Sequence, residues 1–169
     1  MRDKLRRLAW GFMAVVFVLT GVVFSVIIFF QNNNQKDNTS QNQPDKLVGT
    51  KMPNFQSRAK VDQLEIQDIA KGSGQVVKDG STVTLQYLGA RSSDGLIFDT
   101  TLDQGQAATF QLSKGSVIDG FRQGLIGMKV GGSRNMWIPA ALGYGAAGAG
   151  QYIPPNTDLF FQVSLQDVK

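Results

Sequence analysis

The sequence predicts an α+β domain, an antiparallel β-sheet wrapped on one short α-helix, preceded by an N-terminal transmembrane helix. Three observations predict it. Apolar residues alternate with period two in several short runs, of which Val83-Thr84-Leu85-Gln86-Tyr87-Leu88 is the best, and Gly-rich turns separate these runs. Helical spacing is found in one short segment, 116–126, where Val117, Phe121, Leu125 and Ile126 fall on one face despite Gly120 and Gly124. Residues 8–30 carry no charge.

The elements follow in order. Residues 1–7 form a basic tail, and three of the four net positive charges of the 169-residue chain lie there. Residues 8–30 are long enough to cross a bilayer, which takes about 20 apolar residues in a helix. A cleaved signal would have a shorter apolar run ending in small residues. This run ends Phe29-Phe30-Gln31-Asn32-Asn33, so a retained anchor is the better reading. Arg2, Lys4, Arg6 and Arg7 orient it with the N-terminus cytoplasmic. The chain is thus expected to be a single-pass membrane protein with its C-terminal domain outside the cytoplasm. Residues 31–59, rich in Asn and Gln, read as a flexible linker, because they bury too little apolar surface to offset chain entropy.

Residues 60–169 form the folded domain. Strands are expected at 61–69, at Val76-Val77, at 83–88, at 96–98 and at 108–112. The helix at 116–126 follows, then closing strands at 133–139 and 159–168. Lys71-Gly72-Ser73-Gly74, Lys78-Asp79-Gly80 and Gly127-Met128-Lys129-Val130-Gly131-Gly132 are turns.

Composition excludes much chemistry. The chain has no His and no Cys. Thiol nucleophiles, disulfides, imidazole acid–base catalysis and most zinc sites are therefore ruled out. No metal and no cofactor are expected. The basic excess sits on the tail and not on the folded domain, so nucleic acid is not an expected partner. Asp99 and Asp103, four residues apart in a turn, read as solvated and not as a paired acid and base.

The remaining motifs are Tyr87-Leu88-Gly89, Gly95-Leu96-Ile97-Phe98-Asp99-Thr100, Val117-Ile118-Asp119-Gly120-Phe121, Tyr144-Gly145-Ala146-Ala147-Gly148 and Ile153-Pro154-Pro155, the last running into Leu159-Phe160-Phe161-Gln162-Val163. In this order the chain, from about residue 61 to its end, resembles the FKBP family of peptidyl-prolyl cis-trans isomerases. The resemblance implies rotation of X-Pro bonds in an apolar pocket, with proline-containing polypeptides as substrates and macrolides as further ligands. It implies catalytic roles for Tyr87, Phe98, Asp99, Ile118, Tyr144 and Phe161, and substrate binding by Val117, Phe121 and Ile153. Phe121 would be the floor, where many relatives carry Trp. The Tyr144 hydroxyl and the Ile118 N–H would hold substrate carbonyls, and Asp99 would orient Tyr87 or polarise the pocket edge. Ala108 stands where an aromatic residue often lines the family's pocket, Asp119 where Arg is common, and Gln86 where His is frequent.

Read without that resemblance, Phe98, Val117 and Phe161 are ordinary core residues. Tyr87 is then a strand packing residue and Asp99 a turn or capping residue. Tyr144, among Gly and Ala, has few neighbours to pack on, which favours an exposed functional role. Two functions fit the motifs: an isomerase acting on exported or envelope polypeptides, and a non-catalytic chaperone or docking module using the same cleft.

Overall fold

The computed structural model describes residues 46–169. The cytoplasmic tail 1–7, the transmembrane helix 8–30 and most of the linker expected from the sequence lie outside the described residues. Among the described residues no helix is long and apolar enough to cross a membrane.

Six strands and one helix make up the domain: β1 (Glu65–Ala70), β2 (Thr82–Arg91), β3 (Ile97–Thr100), β4 (Ala108–Gln111), α1 (Asp119–Leu125), β5 (Ser133–Ile138) and β6 (Leu159–Val168). The order across the sheet is β1-β5-β6-β2-β3, and β4 shares the outer edge of β2 with β3. Every strand pair is antiparallel. The expected α+β arrangement of an antiparallel sheet with one short helix is therefore present.

The alternation that marked the strands also sorts the cores. On β6, Leu159, Phe161, Val163 and Leu165 enter the main core, whereas Phe160 points to a second one. On β2, Val83, Leu85 and Tyr87 face the main core, and Leu88 and Ala90 face the second. Period-two side-chain direction makes this division.

Helix α1 packs Phe121 and Leu125 into the main core. The apolar spacing predicts a helix over 116–126, and the observed helix is shorter at both ends. Ile118 is extended (φ −59°, ψ 142°), as suits a β-branched residue. Ile126 has left the helix (ψ 135°) and is exposed instead of sharing the buried face. Gly120 and Gly124 have a packing reason. A Cβ at Gly120 would run into the Ile138 side chain, and one at Gly124 into Met136. The helix thus lies against β5 at a distance that only glycine allows.

Arg134 of β5 is a buried charge that closes the C-terminus of α1. Its Nη1 donates to the Gly124 carbonyl at 2.7 Å, and its Nε donates to Asp68 Oδ1 of β1 at 2.6 Å. One side chain therefore satisfies an orphan helix carbonyl and ties β1 to the helix.

Two strand expectations also change. The first strand begins at Glu65 rather than 61, because the Val61 N–H is taken by Asp158 Oδ2 at 2.8 Å before the chain enters register with β5. Val76 makes only an isolated bridge to Lys129.

The expected linker reached residue 59, but its described part is packed chain. Gly49 and Met52 donate to the carbonyls of Ile97 and Gly95, and Arg58 donates to that of Ser92. Leu47, Met52 and Phe55 cover the second core of Leu88, Ala90, Ile97 and Phe160. The Phe55 and Phe160 rings meet edge-on at 5.2 Å, and the Arg58 guanidinium lies 3.9 Å from the Trp137 ring centre. A few apolar residues scattered in a polar stretch suffice, because the sheet presents a ready apolar face.

Candidate active site

The main core ends in a cluster of aromatic rings. Phe121 on α1 lies 5.0 Å from Phe161 on β6, 5.9 Å from Phe110 on β4 and 6.2 Å from Tyr87 on β2, centre to centre. Phe98 on β3 meets Phe161 at 5.6 Å, and Phe110 meets Tyr87 at 5.8 Å. Most of these pairs are edge-to-face, the arrangement ring quadrupoles favour. The cluster comes from four strands and the helix, so none of its contacts is local in sequence.

Gly89 makes the packing possible. It follows Tyr87 by two residues on β2, and a Cβ there would stand 2.8 Å from both Phe98 and Phe161. The rings occupy the space a side chain would take.

Phe121 and Phe161 are buried, whereas Tyr87 and Phe98 are half-buried, so the cluster grades from core to surface. At its edge the Tyr87 hydroxyl donates to Asp99 Oδ2 at 2.5 Å. Burial and then the Asp99 hydrogen bond and charge push the Tyr87 phenol well above its ordinary pKa. Tyr144, 38% exposed, is raised by burial and then by the charge of Asp99. Both phenols therefore remain neutral hydrogen-bond donors at physiological pH.

Val117 and Ile118 are half-buried against the same core, and Ile153 is buried in it. The Ile118 carbonyl accepts from both Phe121 and Arg122, while its own N–H meets no acceptor among the described residues. Backbone cross-links tie down the loop that follows Tyr144. Ala149 and Ile153 exchange backbone hydrogen bonds at 2.8 and 3.2 Å, and Asn156 donates to the Gly145 carbonyl at 2.8 Å.

Of the residues singled out in the sequence, Tyr87, Phe98, Phe121 and Phe161 lie in this cluster, Asp99 meets it through the Tyr87 hydroxyl, and Val117, Ile118 and Ile153 pack in or against the main core. Phe110 was missed, although its alternation with Ala108 and Leu112 places it on the inward face of β4. Its ring packs on Tyr87 and Phe121, two residues along from the small Ala108. Asp103 was expected to be solvated; instead its carboxylate accepts the Leu47 N–H at 2.8 Å and the Val48 N–H at 3.4 Å. Among the described residues no group of acidic side chains could hold a metal ion. The rings present apolar surface, and Tyr87 and Tyr144 beside Asp99 are neutral phenols. The cluster and its rim hold no thiol and no imidazole, since the chain has no Cys and no His.

Comparisons with known proteins agree on one family. A family model described as FKBP-type peptidyl-prolyl cis-trans isomerase matches residues 74–166. A curated FK506-binding protein of Neisseria meningitidis is 43% identical over 105 residues, 62% of this chain and 95% of that protein. An FK506-binding protein of Streptomyces anulatus is 46% identical over 103 residues, 60% of this chain and 83% of that one. Among solved structures, a peptidyl-prolyl cis-trans isomerase of Pseudomonas syringae matches with a TM-score of 0.57 and 31% identity, over 66% of this chain and 80% of that one.

Proposed function

Because this chain belongs to the FKBP-type peptidyl-prolyl cis-trans isomerase family and is an enzyme of that kind, we propose that it turns X-Pro bonds in the cluster of Tyr87, Phe98, Phe110, Phe121 and Phe161. The observation that carries the proposal is the aromatic cluster opening at a rim where Tyr87 donates to Asp99 at 2.5 Å.

The chemistry follows from amide resonance. A planar peptide bond resists rotation with a barrier of about 18–20 kcal/mol. Its planar form separates charge between oxygen and nitrogen, and the twisted form does so less. Removing water with aromatic walls destabilises the planar form relative to the twisted one, which is differential binding of the transition state. Phe121 and Phe161 take the floor, with Phe98, Phe110 and Tyr87 as walls. The Tyr144 hydroxyl and the unmatched Ile118 N–H hold substrate carbonyls in place. Asp99 keeps the Tyr87 phenol pointing along the rim. No proton is transferred, in keeping with a chain that lacks His and Cys.

The substrates we propose are exported or envelope polypeptides, in which X-Pro isomerisation is slow enough to limit folding. Support comes from the uncharged run at 8–30 behind a basic flank. In untreated cells the chain should then fractionate with the membrane, and protease added to spheroplasts should remove its C-terminal domain; recovery in the soluble cytoplasmic fraction would refute the placement. Ligands of the FK506 type are proposed to occupy the same cluster.

The reading is tested with the full chain in mild detergent and a proline-containing test peptide. Phe161→Leu with Tyr144→Phe should lower kcat/KM by at least about tenfold with the circular-dichroism spectrum unchanged. Unchanged rates in a folded double variant would move the chemistry elsewhere. Peptide binding without rate enhancement by the wild type would favour a holding module.

A further inference from the structure

The outer edge of β2 carries two short partners. β4 pairs with Thr82 to Leu85, and β3 pairs with Leu88 to Ala90. Gln86 and Tyr87 fall in the gap between them and have no strand partner on that side. A pocket residue thus sits where the sheet is interrupted, and its main-chain groups need partners from elsewhere.

Two threonine side chains fill the gap. The Tyr87 N–H donates to Thr101 Oγ1 at 2.9 Å. The Tyr87 carbonyl accepts the Thr100 hydroxyl at 2.8 Å and the Thr101 N–H at 3.1 Å. Thr100 Oγ1 also accepts the Leu102 N–H at 3.1 Å, which fixes the turn that follows. Both threonines are buried, at 6% and 8% exposure. Each hydroxyl in this clamp works as donor or acceptor toward main chain, which the isosteric Val cannot do.

The clamp has a further consequence because of chain order. Thr100 and Thr101 directly follow Asp99, the partner of the Tyr87 hydroxyl. The same two residues therefore hold the backbone of the tyrosine and the strand end that carries the carboxylate.

We infer that Thr100 and Thr101 are positioning residues for the isomerase reaction, keeping Tyr87 and Asp99 in mutual register at the rim of the aromatic cluster. They touch no substrate and act through Tyr87. The inference rests on the assignment of Tyr87 and Asp99 to the pocket, and the experiment separates the two.

The full chain in mild detergent is assayed on the proline test peptide as wild type, Thr101→Val, Thr101→Ser, Tyr87→Phe and the Thr101→Val/Tyr87→Phe double variant. Thr101→Val should lower kcat/KM about tenfold, and Thr101→Ser, which restores the hydroxyl, should return it to within about twofold of wild type. In the Tyr87→Phe background, Thr101→Val should cost less than about threefold, since coupled sites are non-additive. Thr100→Val removes the bond to the Tyr87 carbonyl and the bond from the Leu102 N–H, and it provides the same reading should Thr101→Val fail to fold. A folded Thr101→Val with wild-type kcat/KM, or equal losses in both backgrounds from a slowed Tyr87→Phe, would overturn the positioning role alone. A Tyr87→Phe variant as fast as wild type would overturn the pocket assignment and the inference together.

Discussion

At the residue scale, absence of a side chain matters as much as presence. A methyl group on Gly89 would stand 2.8 Å from Phe98 and from Phe161, both held by their own strands. Neither ring can withdraw without opening the cluster, and overpacking of this kind costs about 1–3 kcal/mol. Gly89→Ala is therefore expected to lower both the thermal midpoint and kcat/KM; a variant that is less stable but fully active would show that the rings need not close. The Tyr87-Leu88-Gly89 triplet was legible in the sequence only as part of a family pattern. Its physical reason, two rings from distant strands meeting over one Cα, lies in no local feature of the chain.

At the element scale, α1 is held by groups outside itself. Seven residues form a marginal helix, and two of its residues are glycines that lower its propensity. Close approach to β5 and the Arg134 cap compensate. Arg134→Met should cost about 2–3 kcal/mol, because it strands the Gly124 carbonyl and Asp68 together. The lower part of that range is favoured by the 35% exposure of the Asp68 side chain, which lets water replace the lost partner. Urea unfolding measures it, and a loss below about 0.5 kcal/mol would mean that water caps the helix equally well. The strand positions were legible because period two survives in the sequence. The helix limits were not, because Val117 and Ile126 fit the apolar spacing, yet Val117 makes an isolated bridge to Lys114 and Ile126 takes extended backbone.

At the scale of the described domain, two cores sit on opposite faces of one sheet. The main core is covered by α1 and carries the aromatic cluster. The second is covered by the lead-in 47–58, which precedes the region matched by the family model. The lead-in is anchored at two further points: Asp103 grips the Leu47 and Val48 amides, and Gly49 lies against the Tyr152 hydroxyl at a spacing that leaves no room for a Cβ. Removing residues 1–58 should uncover Leu88, Ile97, Phe160 and Trp137. The expected outcome is a thermal midpoint lower by about 5 °C or more and new binding of an apolar dye. A truncated chain as stable as the full one would return this segment to the role of a plain tether.

By itself the sequence determined the strand pattern, the α+β class and the exclusion of thiol and imidazole chemistry, because alternation and composition are properties of the chain alone. Through ordered motifs it also pointed to the family and to most residues of the cluster. Only the tertiary structure decided that Phe110 joins the rings, that Asp103 grips the lead-in, and that Thr100 and Thr101 complete an interrupted sheet edge at Tyr87. Each of these joins residues that are distant in sequence, and a distance in space becomes fixed only when the strands pair.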